Sequence, residues 1–255
     1  MIKLIHIEFY KMRRDLLIWG AFLFVVIAGI GTALLHGNEQ YYVKLPRIEY
    51  YIVIQSMSPA FLLLTVAITG YSIASDLQSR TVQNVLSAGI DRKRYYFSRL
   101  LVQMLLTSAM FVIPVLIFAL TRFLMGVGRG RVNPAFSVTG FLLLLFFMSL
   151  QVLAYCAMTN MICYLCRNLM LSVSIGFGTF MVELFGSSFI EGFHLDGLRK
   201  YTDLLPATLL RTCVDRIGDT PLVLGELLKY GIMPAVFIIV CGSVGYLWFK
   251  KSDNF

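Results

Sequence analysis

The sequence predicts an all-α polytopic membrane protein, and both its composition and its apolar runs indicate that class. Of 255 residues, 58% are hydrophobic and only 14% are charged, and the mean hydropathy is +0.77. Soluble globular domains usually contain about 25% charged residues. Six runs in the sequence each reach about the 20 apolar residues that a membrane-spanning helix needs.

The six predicted spans account for most of the chain. We place them at residues 16–35, 52–74, 100–124, 136–160, 169–190 and 229–249. The first span follows a charged leader without a small-residue cleavage site behind it, so we expect it to be retained rather than removed as a signal peptide. No repeat or flexible linker interrupts the chain, and we expect residues 1–255 to form a single transmembrane domain.

Basic residues predict the orientation. Six spans place both termini and the second and fourth loops on one side of the membrane, and that side carries the dense basic clusters, which are Lys11, Arg13, Arg14, Arg92, Lys93, Arg94, Lys250 and Lys251. Such clusters favour the cytoplasm, so we expect both termini to be cytoplasmic. We attribute the net charge of +8 to basic residues that face the membrane and are attracted to anionic lipid. No nucleic-acid partner is expected.

Cysteine usage favours packing over redox or metal chemistry. Cys163 and Cys166 form a C-x-x-C pair, but it has no second pair or nearby histidine. We therefore predict no metal site. Given the orientation above, Cys213 should react with a membrane-impermeant reagent in intact cells, and Cys163 and Cys166 only after permeabilisation.

The N-terminal leader, residues 1–15, predicts an amphipathic helix in the cytoplasmic interface. One stripe of a helical wheel is apolar, whereas Lys3, Lys11 and Arg14 lie on the opposite side. The alternative is that the leader simply extends the first span, which the charges between Lys11 and Asp15 disfavour.

The cytoplasmic segment 75–98 predicts a short helix between the second and third spans. Val82, Val85 and Leu86 form a narrow apolar face, Gly89 is expected to end the helix and Asp91 to cap the next one. Such a helix could dock its apolar face into a groove on a soluble partner. An ordinary positively charged loop fits the same pattern.

The outer loop 191–228 contains an apolar island at residues 204–210 that is too short to cross the bilayer. Leu205, Pro206 and Leu209 belong to it. We expect an interfacial or re-entrant segment, broken at Pro206.

Glu183 lies within the fifth predicted span, and the sequence allows several roles for it. A carboxylate there is costly unless it faces protein or water. It could line a transport path, pair with an arginine of the outer loop, or extend toward the surface. The same span contains Ser172-x-x-x-Gly176 and Ser174-x-x-x-Gly178, spacings that allow close helix packing.

Catalytic motifs are not found in the sequence. It lacks the Gly-x-x-x-x-Gly-Lys-Ser/Thr phosphate loop and the His-Glu-x-x-His zinc motif. We predict no catalytic residue. The rival classes are an intramembrane enzyme, namely a hydrolase or lipid transferase, and a non-transporting membrane scaffold; the first would need convergent carboxylates or a Ser/Lys pair, and only Glu183 fits.

The order of these segments resembles the permeases of ATP-binding-cassette type-2 exporters. The shared features are a basic amphipathic leader, two spans, an acidic residue before a Thr-hydrophobic pair, and a basic cluster. The resemblance implies that residues 1–15 are an elbow helix and that a re-entrant hairpin precedes the sixth span. It also implies that the segment from Asp76 to Asp91 is a coupling helix, with contacts to an ATPase from Asp76, Arg80, Thr81, Val82, Val85 and Leu86. Arg80 occupies a position where members of that family often carry glycine.

The resemblance also implies partners. Cytoplasmic ATP-binding-cassette ATPase subunits would bind ATP and Mg, this chain would hold no cofactor, and a second copy or a sibling permease would complete the pathway. Small permeases of this size resemble those of bacterial peptide export and lantibiotic self-protection. We therefore expect a location in the bacterial plasma membrane and an amphipathic peptide or lipid-like cargo, moved by alternating access.

Overall fold

The computed structural model describes residues 2–35, 48–78, 81–124, 138–193, 204–219 and 224–251, and within these ranges the regular structure is entirely helical. The all-α prediction is confirmed. In chain order the helices are α1 (Ile2–Arg14), α2 (Leu16–Leu35), α3 (Ile48–Gln78), α4 (Thr81–Ser87), α5 (Arg92–Leu124), α6 (Val138–Cys166), α7 (Leu169–Gly192), α8 (Pro206–Asp219) and α9 (Leu224–Lys251).

Four of the described helices are long and apolar enough to cross a membrane, at Pro59–Leu77, Arg92–Thr121, Phe141–Cys166 and Leu228–Lys251. A fifth candidate arises if α1 and α2 count as one bent span, and a shorter apolar helix covers Leu169–Glu183. The chain is therefore a multi-pass membrane protein. The count of six spans stays a prediction.

A sharp elbow separates α1 from α2, whose axes meet at 70°. Asp15 forms the break, because its backbone N–H donates to the Met12 carbonyl while its side chain accepts from the N–H of Leu17 at 3.0 Å. That second bond is a helix N-cap for α2. The Trp19 indole also donates to the Arg13 carbonyl at 2.8 Å across the bend. Local hydrogen bonds thus hold α1 at a fixed angle to the first apolar helix.

Helix α6 lies at the centre of the bundle and packs against α3, α5, α7, α8 and α9. Its residues Ala154, Tyr155, Cys156 and Ala157 are fully buried. By contrast, α2, α7 and α9 expose large apolar side chains such as Leu16, Met170 and Ile239. Such outward apolar faces are expected of helices that meet lipid or another membrane helix.

Helices α3 and α7 approach closely at two glycines. A methyl group added to Gly176 would lie 2.7 Å from Val66 Cγ1, and one added to Gly70 would lie 3.0 Å from Val173 Cγ2. The Ser172-x-x-x-Gly176 spacing therefore marks a packing surface, as predicted. The second spacing does not, because Ser174 is exposed and Gly178 has open space around its Cα. Two residues along a helix is about 200°, which places the second pair on the opposite face.

Candidate functional site

The segment between α3 and α5 contains the short helix α4, within the region where a coupling helix was expected. Helix α4 ends before Gly89, which has a φ of +83°. Its N–H donates to the Leu86 carbonyl at 3.0 Å. Glycine is favoured at such a left-handed helix end because it has no Cβ. The carboxylate of Asp91 then accepts from the N–H of Lys93 at 3.3 Å and caps α5. Both the predicted stop and the predicted cap are confirmed.

The apolar face of α4 is directed into the chain itself. Val82 is 1% exposed, and Val85 and Leu86 are half-buried against the same core cluster. The opposite face exposes Asn84 and Ser87. The expectation that the apolar face meets a partner therefore needs revision at Val82, which packs inside the bundle, and the exposed surface of α4 is polar.

Aromatic rings surround the point where α4 meets the bundle. The rings of Tyr96 and Tyr164 lie 5.0 Å apart between centroids, and those of Tyr164 and Phe249 lie 5.1 Å apart. Tyr95 and Phe249 also stack, at 6.1 Å. These rings, from α5, α6 and α9, belong to the same buried cluster as Val82, so the apolar face of α4 forms part of that cluster.

Beside α4 lies a group of four charged residues, which we call the ion-pair cluster: Glu8, Asp76 and Arg99, which are buried, and Lys11, whose side chain is 48% exposed. Arg99 forms salt bridges with Glu8 and with Asp76, and Lys11 forms one with Asp76. Arg99 is 1% exposed and Asp76 is 3% exposed. The charges of two acidic and two basic side chains cancel, which lowers the free-energy cost of burying them.

The ion-pair cluster joins three helices. Glu8 and Lys11 come from α1, Asp76 from the last turn of α3, and Arg99 from the second turn of α5. Arg99 also donates to the carbonyl and to the hydroxyl of Ser72, each at 2.8 Å. Because α4 connects α3 to α5, the cluster fixes both ends of the α4 segment to the elbow helix α1.

Of the coupling residues named from the sequence, the structure brings Asp76 into this cluster, and Thr81 begins α4. Arg80 lies outside the described residues. The sequence reasoning missed Glu8, Ser72 and Arg99. The sequence did contain a signal for this cluster. Paired charges at membrane depth are indicated by an arginine at the edge of an apolar run together with an acidic residue in a basic leader.

A comparison with protein-family models gives a match to the ABC-2 family transporter protein model over residues 4–183. The chain belongs to this family. The matched region extends from α1 to Glu183 in α7 and includes α4 and the whole ion-pair cluster. A search of curated proteins finds no significant match.

Glu183, at the last matched position of this ABC-2 permease, contacts the first turn of α8. It is 7% exposed, and its Oε2 accepts a hydrogen bond from the backbone N–H of Ala207 at 2.8 Å. Pro206 is the first residue of α8, so Glu183 binds one of the free N–H groups at that helix start. This resembles the expected pairing with the outer loop, but the partner is a backbone N–H rather than an arginine. A role in a transport path stays a prediction.

The predicted outer hairpin corresponds partly to α8. Leu209, Leu210 and Cys213 are fully buried, and α8 packs against α3 and α6. The carbonyl of Leu205 accepts from Leu209 N at 2.8 Å, which is the first hydrogen bond of α8, so Leu205 occupies the position just before the helix. Residues 194–203, which would form the other arm, lie outside the described residues, and the re-entrant path stays a prediction.

Glu183 offers a graded test of its helix-capping contact. Glu183→Gln keeps an oxygen that can accept from Ala207 N, whereas Glu183→Leu leaves that buried N–H unpaired, at a cost of about 1–3 kcal/mol. We expect the thermal midpoint in detergent to fall for the leucine variant and to change little for the glutamine variant. If Glu183 also lines a transport path, the glutamine variant should remain stable but export less cargo. Equal stability of both variants would contradict the capping role.

Cysteine burial corrects the accessibility test proposed from the sequence. Cys163 and Cys213 are both fully buried, and burial raises the pKa of the Cys213 thiol to about 12. Since the thiolate is the reactive form, neither residue reports sidedness.

Exposed positions give a better test of orientation. Ala88 follows α4 and Phe193 follows α7, and both are exposed. In a chain with Cys166 replaced by serine, we expect Phe193→Cys to react with an impermeant thiol reagent in intact cells, and Ala88→Cys only after permeabilisation. The reverse pattern would overturn the predicted orientation.

Proposed function

We propose that this ABC-2 permease is the membrane-spanning subunit of an ATP-driven exporter in the bacterial plasma membrane. A separate ATP-binding-cassette ATPase would bind ATP and Mg on the cytoplasmic side, where we also place both termini. A second copy or a sibling permease would complete the pathway. The exposed polar face of α4, held in place by the ion-pair cluster, is the observation that carries the proposal.

The mechanical part of the proposal follows from how α4 is anchored. Val82 inserts into the core, and Asp76 and Arg99 fix the two flanking helices to α1. A push on the exposed residues Asn84 and Ser87 would therefore move α3, α5 and α1 together rather than bend a loop. Movement of such a rigid unit relative to its neighbours is the kind of rearrangement that alternating access requires.

The cargo we propose is an amphipathic peptide or a lipid-like molecule. It rests on the resemblance to small permeases of peptide export and lantibiotic self-protection. An intramembrane hydrolase or lipid transferase has less support, because the buried carboxylates of the described residues are engaged: Glu183 accepts from the Ala207 N–H, and Glu8 and Asp76 pair with Arg99.

Transport in vesicles tests the proposal. Permease reconstituted with an ATP-binding-cassette ATPase that co-purifies with it should move a fluorescent lantibiotic-type peptide or a fluorescent phospholipid when ATP is added. The matched control is the same ATPase with its phosphate-loop lysine replaced, which should give no movement. Movement of neither probe with the active ATPase would count against the proposed cargo.

A further inference from the structure

Helices α5 and α6 run antiparallel, and two contacts define how they are aligned. The Cys156 thiol contacts the Thr107 hydroxyl, and Tyr164 interacts electrostatically with Arg99. These pairs are eight residues apart on both helices, so two turns separate them along one shared face.

Gln103 on α5 and Asn160 on α6 lie midway between these two pairs. Each amide is four residues from both of the paired residues on its helix. Both side chains are 0% exposed. The oxygen and the nitrogen of each amide have no hydrogen-bond partner, and neither has Nε of Arg99, one turn away. An unpaired buried polar group costs about 1–3 kcal/mol, so five such atoms at one place in a native bundle need an explanation.

Free volume for about one water molecule lies near this turn. A small cavity, lined by Thr65, Thr107 and apolar side chains from α2, α3, α5 and α6, begins one turn beyond Gln103. Enclosed sites that are polar and adjoin free volume are where proteins hold internal water, which typically makes about three hydrogen bonds. Because both amides are fully buried, a molecule as large as the proposed cargo could not bind at this site.

We propose that Gln103 and Asn160 bind internal water between α5 and α6, and that this water extends to Arg99. Water there would pair the amide atoms and the free Nε. A buried ion pair is stable only when its remaining N–H groups are also bonded. This water would therefore support the ion-pair cluster from inside the bundle.

Radiolytic footprinting of the intact permease in H₂¹⁸O tests this directly, because X-ray pulses produce hydroxyl radicals at internal water as well as in bulk solvent. Cys156, one turn from Asn160, is the reporter. Cys213, equally buried but in an apolar cluster, is the matched control. We expect Cys156 to gain ¹⁸O at least about threefold faster than Cys213, since only Cys156 adjoins the proposed water.

The double variant Gln103→Leu/Asn160→Leu should reduce labelling of Cys156 to the level of Cys213. Equal labelling of the two thiols in the wild-type chain would overturn the proposal and favour a direct amide–amide hydrogen bond. Strong labelling of Cys156 in a folded double variant would also overturn it, because the water would then not depend on these amides. The wild-type comparison decides the question even if the double variant does not fold.

Discussion

Replacing Arg99 with methionine should destabilise the permease by about 3–5 kcal/mol, because Glu8 would remain buried without a cation and Asp76 would keep only the half-exposed Lys11. For a chain of this size the thermal midpoint in detergent should fall by roughly 10 °C. Differential scanning fluorimetry of the purified variant measures this shift directly.

Two comparisons make the result for Arg99 specific. Arg94→Ala removes an exposed charge on the same helix and should change stability by less than about 0.5 kcal/mol. The triple variant Glu8→Gln/Asp76→Asn/Arg99→Met removes the stranded charges and should recover part of the loss. An unchanged midpoint for Arg99→Met would mean that the ion-pair cluster does not hold the three helices together.

Introducing a bulky side chain on the exposed face of α4 should disrupt binding of the ATPase. Ser87 points away from the bundle, so Ser87→Trp should leave the permease folded while obstructing a closed interface. We expect recovery of the ATPase in co-purification to fall roughly tenfold or more, which corresponds to a loss of about 1.4 kcal/mol.

Ser87→Ala is the matched control and should bind normally, because it removes a small side chain without adding bulk. Leu86→Asp is less suitable, since Leu86 packs against the permease core and its change would affect folding as well as binding. Normal recovery of the ATPase with Ser87→Trp would exclude this face of α4 from the interface.

The helices were largely predictable because the membrane imposes a simple rule on the sequence. The first predicted span, 16–35, coincides with α2, and the predicted spans 52–74 and 169–190 differ from α3 and α7 by only a few residues at each end. Apolar runs of the length of the bilayer leave few alternatives to a helix.

The polar contacts were not predictable to the same degree. Glu8 and Arg99 are far apart in sequence, and the residues around either one do not identify the other as its partner. The partner of Glu183 is a backbone N–H, which any residue after Pro206 would supply. Likewise, an amphipathic pattern at Val82, Val85 and Leu86 identifies an apolar face but does not say whether that face packs against its own chain or a partner.

ATP turnover tests most directly the claim that α4 couples this ABC-2 permease to a separate ATPase. Turnover by an ATP-binding-cassette ATPase that co-purifies with the permease would be measured in vesicles without permease, with wild-type permease and with Ser87→Trp. We predict that wild-type permease changes the rate and that Ser87→Trp returns it to the permease-free value, while Ser87→Ala behaves as wild type. A rate that is the same with and without wild-type permease would contradict the account.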